Sequence, residues 1–278
     1  MPSRERIDVL PLLPGLQEEL LRLLEGLNPG DWARPNVCLG WTVKDIAAHL
    51  LDGDLRKLSL CRDAWDVALD APIGWDRDLV AFLNGLNASW VTAARRLSPR
   101  VLTGLLRVAG EEVLAYYETL DPDAPARFPV AWAGDTVSSN WFDLAREYTE
   151  RWHHQQQIRD AVGAPGLTDG VWMGPLLATL LQAVPAAYED VAAAGGASVA
   201  ITIHGPGGGH WGLAHDRGTW RLGAESPAAP QAALSLSSDT AWRLLTKGLT
   251  AGQAQARITV SGDSRLCLPF FSALAVMA

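Results

Sequence analysis

The sequence predicts an α+β protein in two parts, a helical bundle followed by a small domain that mixes strands with helices. Three observations carry this expectation. Apolar residues recur at helical spacing from about Arg4 to Gly163. Beyond the Gly195-Gly196 break the apolar runs shorten to strand length. The chain has 278 residues, long enough for two ordinary cores.

Breaks near Asn28-Pro29-Gly30, Ala71-Pro72, Ser98-Pro99 and between Pro122 and Pro129 leave about four long helical segments. Leu16, Leu20, Leu23 and Leu24 form the apolar stripe of the first, and Ile46, Leu50, Leu51, Leu55 and Leu58 that of the second. The third runs from Leu79 to Leu120 with a break at Pro99, and the fourth from Trp141 to Val162. Such a set packs as an antiparallel bundle. Another helical stretch spans about Gly174 to Ala194. Strands are expected at Ser198–His204, His210–Ala214, Thr219–Leu222, Ala232–Leu236 and Ala256–Ser261, and helices at Asp239–Lys247 and Asp263–Met277, with Asp239 and Asp263 as N-caps.

Composition narrows the function. A net charge of -8 with 48% hydrophobic residues describes a mildly acidic globular protein and argues against a nucleic-acid partner. Lys44, Lys57 and Lys247 are the only lysines. Cys38, Cys61 and Cys267 are widely spaced and lack a Cys-x-x-Cys pair, so neither a disulfide framework nor a thiolate zinc site is indicated and a cytoplasmic setting is expected. No stretch approaches the roughly 20 apolar residues of a membrane span, and Pro269 interrupts the apolar tail.

The second helix opens on Thr42-Val43-Lys44-Asp45, a capping-box pattern with Asp in place of the usual Glu or Gln, flanked by Trp41 and Ile46 at the staple positions. His49 falls two turns in, on the edge of the apolar stripe, with Gly53 leaving room beside it. In the fourth helix Trp141, Leu144, Ala145, Tyr148, Trp152 and Gln155 share one direction. His154 lies with Glu150, Glu147 and Ile158 on a flank of that face, while His153 points toward the polar side. Glu150 and His154, at i and i+4, can converge on one ion; Glu147 is an alternative ligand or an acceptor for a histidine N–H. Two imidazoles and a carboxylate suffice to hold a divalent metal with positions left open. A Glu-x-x-x-His pair is nevertheless most often a solvated contact, and spacing alone does not bring His49 to it.

The element from Gly40 to Leu50 (GWTVKDIAAHL), with the distant Glu147–Asp160 stretch (EYTERWHHQQQIRD), resembles the mycothiol-dependent maleylpyruvate isomerase family, whose N-terminal part belongs to the DinB-like superfamily. The resemblance covers about the first 165 residues. It implies residues 1–165 as a DinB-like four-helix metal-binding bundle, 166–196 as a helical connection, and 197–278 as a small sterol-carrier-like α+β domain. The last is carried more weakly, by the strand pattern, Trp211, Trp220 and the Val260–Asp263 turn. Carried over residue by residue, it implies His49, Glu150 and His154 as ligands of a divalent metal, commonly zinc.

The resemblance further implies a low-molecular-weight thiol, mycothiol or bacillithiol, as cosubstrate. The thiol would serve either isomerisation of a small electrophile or S-transfer to it. A non-enzymatic metal-binding or regulatory protein and a metal hydrolase are the alternatives. An anionic substrate would need a cation, for which Arg217, Arg221, Arg243 and Arg257 are sources.

Other motifs read as structure. Gly205-Pro206-Gly207-Gly208-Gly209 lacks the Lys-Ser/Thr and the strand–loop–helix setting of a phosphate loop and fits a hairpin connection. His204, His210 and His215 sit at strand spacing on different faces. The twelve tryptophans have no accompanying basic stripe and read as core.

Overall fold

A computed structural model describes residues 4–65 and 77–276; the expected break at Ala71-Pro72 lies outside them. Two compact units emerge, and neither is continuous in sequence. One comprises Val9–Arg127 and Glu150–Gly166, the other Met1–Asp8, Phe128–Thr149 and Leu167–Met277.

The first unit is helical. It contains α1 (Leu13–Glu25), α2 (Val43–Arg56), α3 (Arg77–Ala94), α4 (Pro99–Glu118) and the second half of α5 (Asn140–Val162). The expected third segment is thus two helices. Pro99 cannot continue α3, but it fits the first turn of α4, where Ser98 caps by accepting from the Val101 N–H. Leu20 and Leu24 of α1, Ile46, Leu50 and Leu51 of α2, Leu102 and Leu106 of α4 and Ile158 of α5 share one core. Each such burial stabilises by roughly 1.5–3 kcal/mol. Leu55, expected in the stripe, stays 36% exposed. Past Arg56 the helix loosens into a π-turn over Lys57–Arg62.

In α5 nearly every side chain from Arg151 to Arg159 is buried, polar ones included. They pair inside the unit. Arg151 donates to Gln17 and Asp54, Gln155 Nε2 donates to Leu16 O at 3.2 Å, and Arg159 Nη2 donates to Glu19 Oε2 at 2.9 Å. Desolvated charges of this kind persist only when so paired.

The second unit carries α6 (Gly170–Leu180), α7 (Val184–Ala187), α8 (Ser238–Leu245), α9 (Ala251–Gln255), α10 (Ser264–Cys267) and a five-stranded sheet. Its strands are β1 (Ser198–His204), β2 (Gly209–Asp216), β3 (Thr219–Gly223), β4 (Ala232–Ser237) and β5 (Thr259–Gly262), in the order β3-β2-β1-β4-β5. Central β1 pairs antiparallel with β2 and parallel with β4, Val199 opposite Leu213 and Ala232. Val199, Ile201 and Ile203 alternate into the core, joined by Leu213, Leu234 and Leu236. Gly205–Gly209 is the expected hairpin connection: Gly208 N–H donates to Gly205 O at 3.0 Å, and Gly207 holds φ +67°.

Several expectations are corrected. The cap of α8 is Ser237, which accepts from Thr240 N–H, and Asp239 sits inside the first turn. Asp263 does cap α10, but that helix ends at Cys267 and continues only as a 3-10 turn over Leu268–Ser272, where Pro269 withholds an N–H. Strand β5 starts at Thr259, after α9, whose own capping box joins Thr250 and Gln253. The stretch Gly170–Ala187 has the length and mean hydropathy, 1.3, of a membrane span. It is broken by a 3-10 turn over Leu181–Ala183, and Met173, Leu176, Leu177 and Leu180 are buried within the unit.

Candidate metal centre

The helix that presents His49 starts at a fixed place. Asp45 N–H donates to Thr42 Oγ1 at 3.3 Å and Thr42 N–H donates to Asp45 Oδ2 at 2.9 Å, closing the capping box. Arg95 grips the same carboxylate, Nε to Oδ1 at 3.0 Å and Nη2 to Oδ2 at 3.1 Å. Burial would raise the Asp45 carboxyl, but Arg95 and Thr42 outweigh it and hold it below its ordinary value. From this anchor His49 is carried into the unit, 8% exposed, with the Trp41 ring 5.3 Å away. A Cβ on Gly53 would meet no atom within 4 Å, so the imidazole does not depend on that glycine for space.

Helix α5 supplies the partners. His49 Nε2 lies 3.2 Å and His154 Nε2 3.0 Å from the same oxygen, Glu150 Oε1. The two imidazoles meet edge-on with centroids 4.7 Å apart. One ligand atom from each of the three residues falls within 4.8 Å of the others, and among the described residues no other group of three His, Cys, Asp or Glu is so placed. Both histidines are buried, while the Glu150 side chain, desolvated around its carboxylate, keeps 43% of its surface exposed.

Burial and charge set the three protonation states apart. Burial drives the His49 pKa down, and the Glu150 contact only partly offsets it. Burial would lower His154 too, but the Glu150 charge and its hydrogen bond prevail and raise it. Burial would raise Glu150, yet the two imidazoles hold it well below the usual carboxylate range.

The remaining sequence candidates fall elsewhere. Glu147 accepts from Arg146 Nη2 at 2.8 Å and is not one of the three. His153, expected on a polar side, is 7% exposed and stacks beside His154 at 5.1 Å. The polar side does not exist, because α5 is buried around its circumference here. Gln157, which the spacing argument passed over, accepts from His154 Nδ1 at 2.8 Å and donates from Nε2 to His153 Nε2 at 2.9 Å. Its position one turn beyond the two histidines was the available signal. His204 contacts Ser235 Oγ at 2.7 Å and His210 contacts Thr202 Oγ1 at 3.2 Å, ordinary sheet contacts. Arg243 donates to Asp239 and stacks on Trp242.

A family model described as the mycothiol maleylpyruvate isomerase N-terminal domain matches residues 13–159. The chain belongs to that family. Two solved structures are similar over 91% of both chains at 15% identity: a mycothiol-dependent maleylpyruvate isomerase, with a TM-score of 0.55, and a point mutant of it, with 0.54. At that identity the likeness speaks for the fold. A comparison with curated proteins finds no match. In this member of the maleylpyruvate isomerase family, the matched span contains all three clustered residues.

Two neutral imidazole nitrogens and one carboxylate oxygen, gathered around a single point, form a donor set suited to a borderline divalent cation such as zinc. The residues present therefore fit the ion. With three protein ligands, coordination positions remain for a small molecule.

Proposed function

We propose that His49, Glu150 and His154 hold a divalent cation, zinc by the nature of the donors. In this reading the protein uses a low-molecular-weight thiol, mycothiol or a relative such as bacillithiol, either to isomerise a small electrophile or as the group transferred to it through its sulfur. One observation carries the reading: in a chain of this family, the Nε2 atoms of His49 and His154 converge on one Glu150 oxygen across 101 residues of sequence. Maleylpyruvate, named for the solved neighbours, is the first substrate to test.

When bound, the ion lowers the pKa of a coordinated thiol and so supplies thiolate at neutral pH. The protein's share is to offer His49 and His154 as neutral donors from a buried wall. Glu150 supplies the single negative charge among the three donors. The Trp41 ring packs beside His49 at 5.3 Å.

The same family reading divides the sequence into a DinB-like four-helix bundle over 1–165, a connection over 166–196 and a sterol-carrier-like domain over 197–278. The shared core of α1, α2, α4 and α5 supports the bundle assignment. A cytoplasmic setting is supported by three cysteines outside any disulfide.

The test begins with metal analysis of tag-free protein. About one zinc per chain is expected, sharply reduced in His49→Ala and in His154→Ala; normal occupancy in both variants removes these residues from the centre. Zinc-loaded protein is then given mycothiol with maleylpyruvate and a panel of electrophiles. Turnover that needs the thiol supports the enzyme reading, binding without turnover supports a non-enzymatic protein, and turnover without thiol supports a hydrolase.

A further inference from the structure

We propose that Gln157 is a positioning residue of this centre: its carboxamide fixes which nitrogen of His154 faces the ion and holds the neighbouring His153 out of the site. The inference rests on the metal reading above and concerns how the protein sorts two adjacent histidines.

An imidazole that ligates through one nitrogen carries its proton on the other, and a buried N–H needs an acceptor. For His154 the geometry divides the two. Nε2 faces Glu150 Oε1 at 3.0 Å, and Nδ1 faces Gln157 Oε1 at 2.8 Å. Gln157 is three residues after His154 and four after His153, so one side chain on α5 reaches both rings. A carboxamide has one acceptor end and one donor end. With its oxygen on His154, its nitrogen must face His153, and it does so at 2.9 Å from His153 Nε2. That contact makes His153 Nε2 an acceptor, used up within the helix. The reversed amide would set an NH2 group against the Nδ1–H of a ligating His154, donor against donor.

The oxygen's second lone pair takes the thiol of Cys38, 3.5 Å away. Gln157 is 6% exposed, so water does not replace it readily when it is removed. His49 has no comparable support: its Nδ1 is buried without a hydrogen-bond partner. His154 is therefore the braced arm of the centre and His49 the loose one.

Tag-free full-length protein is titrated with zinc against a competing chelator, and its cobalt form is followed by visible absorption. Gln157→Met, which keeps the volume and loses the acceptor, should weaken zinc binding about 10- to 100-fold and alter the cobalt spectrum. Gln157→Glu, which restores an acceptor for His154, should recover most of the affinity. In zinc-loaded wild-type protein, nitrogen-15 NMR of the histidines should show His154 protonated at Nδ1 and His153 unprotonated at Nε2. Wild-type affinity and spectrum in Gln157→Met would overturn the proposal, as would a His154 without a proton on Nδ1. The NMR result decides by itself if the Met variant does not fold. Wild-type protein that takes up no zinc sinks the metal reading and this one together, which distinguishes that failure from a centre that binds zinc without help from Gln157.

Discussion

Glu150 Oε1 stands 3.2 Å from the Nε2 of His49 and thereby joins α2 to α5 through a single oxygen. Glu150→Gln keeps the shape and removes the charge both imidazoles face. Zinc affinity should then fall by more than the roughly 10–100-fold expected for loss of an outer partner. Isothermal titration calorimetry reads this directly, and an unchanged affinity would place the ion elsewhere.

Protons should compete with the ion chiefly at His154. Its pKa is raised above 6.5 in the metal-free protein, so its pairing with Glu150 is fully present below 6.5 and fades as pH rises through the raised value. Glu150, held well below 4.5, keeps its charge until pH falls through that lowered value. Zinc must displace the His154 Nε2 proton, so binding near pH 6.5 should release protons, and fewer as the solution becomes alkaline. His49, with its pKa lowered, adds little there. Calorimetry in buffers of different ionisation enthalpy measures the count, and the absence of proton release at pH 6.5 contradicts the assignment.

The start of α2 should be measurable as stability. Thr42→Ala removes the acceptor for the Asp45 N–H and should cost about 1 kcal/mol in urea unfolding. Arg95→Ala should cost less, because the guanidinium is more than half exposed and its bond to Asp45 is screened by solvent.

Gly53 and Gly207 should respond in opposite directions to alanine. At Gly53, inside α2 with open space around it, Gly53→Ala should stabilise by about 0.5–1 kcal/mol and leave zinc affinity unchanged. At Gly207, where φ is +67° and a Cβ would lie 2.4 Å from Gly174 N, Gly207→Ala should destabilise by more than ~1 kcal/mol. Thermal melts of both variants check the pair.

What the sequence revealed was local. The Thr42–Asp45 box is closed within four residues, β1 spans the expected Ser198–His204, and the i,i+4 spacing of Glu150 and His154 matches their contact, while Glu147, left open by the angular comparison, lies outside the cluster. What it hid was long-range. The polar residues of α5 read as a solvated face because their partners, Gln17, Glu19 and Asp54, lie far away in the chain. Burial of those pairs is also what places His153 inside. The cap of α8 was misplaced by two residues, at Asp239 rather than Ser237: Ser237 ends β4 and caps the helix in the same position, so no loop marked the change. Helix α9 was missed because five residues are too few to show a period.

The order of the sheet leaves β3 and β5 at its margins, and their character bears on self-association. An unpaired strand margin is a template on which another chain can add and aggregate. β5 is four residues long, exposed throughout, and closes on Gly262 at φ +75°, so it offers little straight backbone to recruit a neighbour. β3 is five residues long, and Thr219 and Arg221 are exposed on the face opposite buried Trp220, so the margin carries a charged side chain of the kind that discourages pairing. The long, apolar β1 is confined to the middle. The sheet thereby keeps its most apolar strand paired on both sides.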